Sequence, residues 1–95
     1  MKLNYYAIQK NINEWDPMGI ICGYFDEYER EVDMIFDKCD YVKKNDIAGL
    51  AKVIAEVFDK QFNFDHWGNP MPSHSFNETV EDILPIARNI INACK

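Results

Sequence analysis

Apolar positions recur along this chain at helical spacing, and strand-like alternation does not occur. Tyr5, Ile8, Ile12 and Trp15 fall three or four residues apart and predict a first helix over about residues 2–14. Asp16-Pro17 stops it, because proline disfavours helical geometry in the residue before it. The same pair can open a new turn with Asp16 as N-cap. The following "PMGIICG" is therefore a short helical segment or a tight buried crossing, bracketed by Gly19 and Gly23. A second helix follows, with Asp26 as its cap and Glu29 completing an acidic capping box. Phe25, Tyr28, Val32, Ile35, Phe36 and Cys39 form its apolar face, and it should end near Asp40 or Tyr41.

A third helix should begin at Asn45 or Asp46. Ile47, Leu50, Ala51, Ile54, Val57, Phe58 and Phe62 repeat at near-ideal spacing, with Lys52, Glu56, Asp59 and Lys60 opposite. Gly49 lies inside it at a cost of about 1 kcal/mol relative to alanine, which points to close packing against a neighbour. Residues 63–75, rich in proline and polar groups, read as a long loop. Ser75 and Glu78 match a capping box for a fourth helix, whose apolar face is Val80, Ile83, Leu84, Ala87, Ile90, Ile91 and Cys94. Pro85 falls on the other side and should bend the helix with the ring facing solvent. The expectation is an all-α, compact bundle of four main helices plus one short segment, a single domain over residues 1–95.

Charge adds a functional direction. Sixteen acidic residues against ten basic ones give a net charge of −6. That argues against a general nucleic-acid binder, which needs cations to displace phosphate counterions, and against anionic membranes. It favours a basic protein partner or plain solubility. The odd cysteine count, without a C-x-x-C pair, indicates neither a disulfide framework nor a zinc ribbon. Without a signal-like leader or a spanning apolar stretch, the expected location is the cytoplasm. The "NET" at Asn77–Thr79 carries no weight there. No cofactor is implied.

The charge is concentrated on the second helix. On a helical wheel Asp26, Glu29, Asp33, Asp37 and Asp40 occupy one arc. Glu29–Asp33 and Asp33–Asp37 are like-charge pairs at i,i+4, each costing about 0.2–0.5 kcal/mol on an exposed helix. Glu27–Glu31 adds a third pair on another face. Acids in the first turn complement the helix dipole, but Asp37 and Asp40 lie near the wrong end for that. A solvated face is the plain explanation. A strip kept for a cationic partner is the functional one, with Tyr24, Tyr28 and Tyr41 as aromatic anchors beside it.

Other chemistry is weaker. His66 and His74 with Asp59 and Asp65 do not fit metal-ligand spacing. Glu14 and Asp16 flank Trp15, but turn formation accounts for Asp16. On that basis "WDPMG" is a structural corner with Trp15 anchored in the core. Cys39 and Cys94 fall on apolar faces, where a thiol acts as a small hydrophobe, and Cys22 lies in the apolar run. An enzyme using Asp16, His66 or His74 ranks last among the readings.

At "NEWDPMGI", followed by "DEYEREV" and "ILPIA", the chain resembles the YugE-like family of small bacterial all-helical proteins of unknown function. Asn13, Glu14, Trp15, Asp16, Pro17, Gly19, Asp26, Glu27 and Tyr28 carry the resemblance. It implies a helical fold and no catalytic residues. By type, small acidic proteins of this kind are also similar to immunity proteins that neutralise bacterial toxins, often nucleases. The leading expectation is thus a non-enzymatic module that binds a cognate toxin with a basic surface. Asp26, Tyr28, Glu29, Asp33, Asp37, Asp40 and Tyr41 would form the contact. The alternative is a YugE-like stand-alone protein acting as a homodimer.

Overall fold

A computed structural model describes residues 2–19, 28–42, 46–64, 67–70 and 76–94. Four helices account for most of them: α1 (Tyr5–Trp15), α2 (Glu29–Lys38), α3 (Ile47–Asn63) and α4 (Val80–Ala93). The fold is all-α, and no strand occurs among the described residues. Each helix packs against its neighbours in chain order, and α1 also packs against α4, so the four close into a ring.

The core is built mainly from the apolar faces that helical spacing picked out, with Leu3, Val42 and Phe76 added from outside the helices. Ile8 and Ile12 of α1, Val32 and Ile35 of α2, and Leu50, Ala51, Ile54, Val57 and Phe58 of α3 are fully buried. Ile83, Ala87, Ile90 and Ile91 of α4 complete it. Burying one such side chain contributes about 1.5–3 kcal/mol, far more than a single helix propensity. Pro85 lies exposed on the far side of α4, as the spacing predicts.

A chain of aromatic rings ties the elements together. Phe58 stands at its centre, edge-on to Trp15 at 5.4 Å, tilted against Tyr28 at 5.7 Å, and stacked with Phe62 at 5.6 Å and Phe76 at 5.3 Å. Trp15 also meets Phe76 edge-on at 6.2 Å. The end of α1, the start of α2, α3 and the approach to α4 therefore share one cluster. Edge-to-face and offset pairs of this kind add about 0.5–1.5 kcal/mol each beyond their buried area.

The helix ends depart from the sequence reading. The first helix starts three residues later than expected, at Tyr5, with the Asn4 carboxamide accepting from the amides of Tyr6 and Ala7. Lys2 instead pairs with Tyr41 in an antiparallel bridge, and the Leu3 amide donates to the Asp40 carbonyl at 2.7 Å. That pairing stops α2 at Lys38, short of the expected end at Asp40 or Tyr41. In α2, Tyr28 holds the N-cap position without a side-chain cap. The proposed cap Asp26 lies outside the described residues. The fourth helix is capped by Thr79 and Asp82, in reciprocal bonds; of the expected Ser75–Glu78 pair, Ser75 lies outside the described residues and Glu78 falls just before the cap. The third helix starts at Ile47, just past the expected Asn45 or Asp46, and Asp46 is its cap, the carboxylate accepting from the Gly49 amide at 3.0 Å. A side chain on residue 49 would run into that carboxylate. Gly49 thus makes room for its own helix's cap, not for a neighbouring helix.

Candidate functional site

The corner after α1 decides which residues are left for a partner. Asp16 ends α1 in the left-handed region, at φ 43°, and its amide donates to the Ile12 carbonyl. Its own carbonyl accepts from Gly19, closing a turn across Pro17 and Met18. The expected role as N-cap of a further segment is replaced by this C-terminal one. Of "PMGIICG", residues 17–19 form the turn, and the remainder lies outside the described residues.

The Asp16 carboxylate accepts a 2.6 Å bond from the Tyr28 hydroxyl, which in turn accepts from the Met18 amide at 3.0 Å. Tyr28 is fully buried. Its expected place as a surface anchor is therefore corrected: its ring belongs to the Phe58 cluster and its hydroxyl locks the corner. The start of α2 and the end of α1 are joined by this bond. Such a hydroxyl must have partners once buried, and here it has both a donor and an acceptor.

The acidic strip itself is real as a surface. Glu29, Asp33 and Asp37 are exposed along α2, one helical turn apart, over about 12 Å of helix at 1.5 Å per residue. Asp40 is exposed too, but beyond the helix, on the segment that bonds to Leu3. Tyr41 beside it is 61% exposed. Asp26 and Tyr24 lie outside the described residues. No ion pair links these carboxylates to a lysine or arginine among the described residues.

Asp33 is held in place by a neighbour that the sequence did not suggest. The Tyr5 hydroxyl donates to Asp33 Oδ1 at 2.5 Å, and the Tyr5 ring meets Phe36 edge-on at 5.6 Å. The bond to Asp33, helped by burial and by the charges of Asp33 and Glu29, pushes the Tyr5 phenol up to about 12. So α1 braces the middle of the strip. The i,i+3 position of Tyr5 relative to Ile8 was legible as a packing signal, whereas its bond across to α2 was not.

A second acidic group behaves differently. Glu31, expected to repel Glu27 one turn away on another face of the helix, is only 6% exposed. Burial raises its carboxyl above the usual range, with opposing help from its own backbone amide and Arg30. The strip is thus the surface part of the acidity of α2, and Glu31 is not part of it.

Among the described residues no three His, Cys, Asp or Glu side chains are placed to hold a metal ion. His66 and His74 lie outside them. Burial, followed by the charges of Asp46 and Asp40, raises the Cys39 thiol, which disfavours the nucleophilic thiolate. The Cys94 sulfur accepts from the Asn4 amide at 3.3 Å, joining the two ends of the described chain. Among the described residues no helix is long and apolar enough to cross a membrane.

No family model, curated protein or solved structure matches the chain.

Proposed function

We propose that this chain is a non-enzymatic protein-binding module of the immunity type, which neutralises a basic bacterial toxin, in particular a nuclease, through α2. The observation that carries the reading is the exposed run Glu29, Asp33 and Asp37, continued by Asp40 and the exposed Tyr41, with no cation paired to it among the described residues. Like charges one turn apart destabilise an isolated helix. A cationic surface laid over them converts that repulsion into attraction, which speeds association and selects the partner. A nuclease groove, built to hold phosphates, is such a surface. The resemblance to YugE-like proteins concerns the fold and is compatible with this role without assigning it.

The test uses positions that carry charge and no internal bond. Asp33 is bonded to Tyr5, so Glu29→Lys together with Asp37→Lys is the cleaner variant. Its partner in the assay is the protein encoded in the adjacent reading frame. With folding verified by circular dichroism, the double variant should bind at least tenfold more weakly, about 1.4 kcal/mol. The loss should shrink as salt rises. Binding that is unchanged by both reversals, or a stable homodimer in light scattering with no affinity for the neighbour's product, overturns the proposal.

A further inference from the structure

Position 31 belongs to the core side of α2. Tyr28, Glu31, Val32 and Ile35 stand at i, i+3, i+4 and i+7, which is one face of a helix. Tyr28, Val32 and Ile35 are fully buried, and Glu31 among them is 6% exposed. Its side chain leans back over the preceding turn, the one that begins at Tyr28. A carboxylate in such a place ordinarily has a cationic partner. Among the described residues no lysine, arginine or histidine forms an ion pair with Glu31. Its own backbone amide supplies a hydrogen bond, and the exposed Arg30 beside it acts through charge alone.

The helices packed on α2 are α1 and α3, and among the described residues neither brings a charge to Glu31. From α1, Tyr5 faces Asp33 and Glu29. From α3, Asp46 faces Cys39 at the far end of α2, and the neutral Gln61 donates to Met34, one turn beyond Glu31. The chain thus keeps an ionisable group where an apolar one would pack. Two routes relieve the buried charge. Glu31 takes up a proton and stays docked, or the first turn opens and gives the carboxylate to water. That turn also holds the Val32 amide, which donates to the Tyr28 carbonyl at 2.9 Å, and the Tyr28 hydroxyl that locks the corner.

We infer that Glu31 is a pH-sensitive latch for the first turn of α2: the neutral acid favours docking of that turn, and the carboxylate favours its release. The inference does not depend on what the acidic strip binds, since Glu31 faces inward.

The direction of the effect follows from burial, which raises the folded carboxyl above its ordinary 4.5. Folded protein therefore holds this proton where the opened turn releases it. The stabilising contribution is complete below pH 4.5 and is lost as pH rises through the raised value. Asp82, held below the ordinary 3.8 by the Thr79 amide and hydroxyl, acts in the opposite sense and in more acid solution.

The experiment is amide hydrogen exchange of the full chain by nuclear magnetic resonance from about pH 5 to about pH 8, corrected for intrinsic exchange. The protection of the Val32 amide should fall about threefold or more across that range, following the titration of the Glu31 side-chain carboxyl. Protection of Ile54, in the middle of α3, should stay level. In Glu31→Gln the Val32 protection should be level too, and no lower than that of the natural chain at the acid end. Glu31→Met serves the same purpose if the glutamine variant does not fold. Val32 protection independent of pH in the natural chain, an unchanged pH dependence in the variant, or a fall shared equally by Ile54 each overturn the inference.

Discussion

Tyr28 lies where the apolar and acidic arcs of α2 meet, and a single hydroxyl decides its side. A tyrosine suits either a wet interface or a buried site with a polar partner. The partners, Asp16 and the Met18 amide, come from the preceding corner, so the spacing within α2 contains no trace of them. The core part of the pattern was legible because burial acts on every apolar residue of a face at once. The role of one amphipathic residue was not. Tyr28→Phe keeps the ring in the Phe58 cluster but removes the hydroxyl's bonds to the Asp16 carboxylate and the Met18 amide. Urea unfolding should show a loss of about 1–3 kcal/mol. Binding to a basic partner, measured where the variant is folded, should be unchanged, because the residue never touches the surface. Tyr5 supplies a pH prediction of the opposite kind. Its folded value of about 12 lies above the ordinary 10.0. The native state therefore keeps the phenol proton where the unfolded chain releases it. The stabilising contribution is complete below pH 10 and is lost as pH rises from 10 to about 12. Tyrosinate absorbance should show one late-titrating group that disappears in Tyr5→Phe. In Asp33→Asn that group should titrate earlier. Persistence of the late titration in Tyr5→Phe would assign it to another tyrosine.

At the scale of elements, helix bodies were legible and helix ends were only partly so. The start of α4 shows why. Two hydroxyl-to-acid patterns, Ser75 with Glu78 and Thr79 with Asp82, stand four residues apart and satisfy the same local rule. Local sequence cannot choose between them. The choice comes from α3, where Asn63, 4% exposed, clamps the amide and carbonyl of Phe76. Backbone groups engaged in that clamp cannot join a helix, so residues 76–79 stay outside it and the cap falls on Thr79. Asn63 itself was hidden in the sequence at the polar end of an apolar pattern. Asn63→Leu fills the space but leaves both Phe76 backbone groups without this partner. The expected loss is roughly 2–6 kcal/mol in denaturant unfolding, at about 1–3 kcal/mol for each of the two groups. Thr79→Ala, which removes a cap alone, should cost about 1 kcal/mol. If Asn63→Leu costs no more than Thr79→Ala, the clamp does not set the boundary of α4.

For the whole molecule, ring closure by α1 and α4 and the bracing of α2 by α1 depend on contacts between distant residues, such as Tyr5 with Asp33 and Asn4 with Cys94. Helical periodicity carries no information about them. Net charge, by contrast, is fully legible, and it makes a whole-molecule claim. A chain at −6 with repelling acids on one helix should gain stability as salt screens them. Asp37 tests whether that cost is local. It is exposed, follows Asp33 by one turn and lies near the C-terminal end of α2, where the dipole favours a cation. Asp37→Lys replaces a repulsive i,i+4 pair with an attractive one and corrects the dipole mismatch. Together these should stabilise the protein by about 0.5–1.5 kcal/mol at low salt. For a domain of this size that is a rise of several degrees in Tm, at about 4–8 °C per kcal/mol. In 1 M salt the gain should largely vanish, because the Debye length falls to about 3 Å. A substitution that stabilises the fold while weakening a basic partner's binding is the signature of charge kept for recognition at the expense of stability. A variant that is more stable and binds equally well would make the strip an ordinary solvated face.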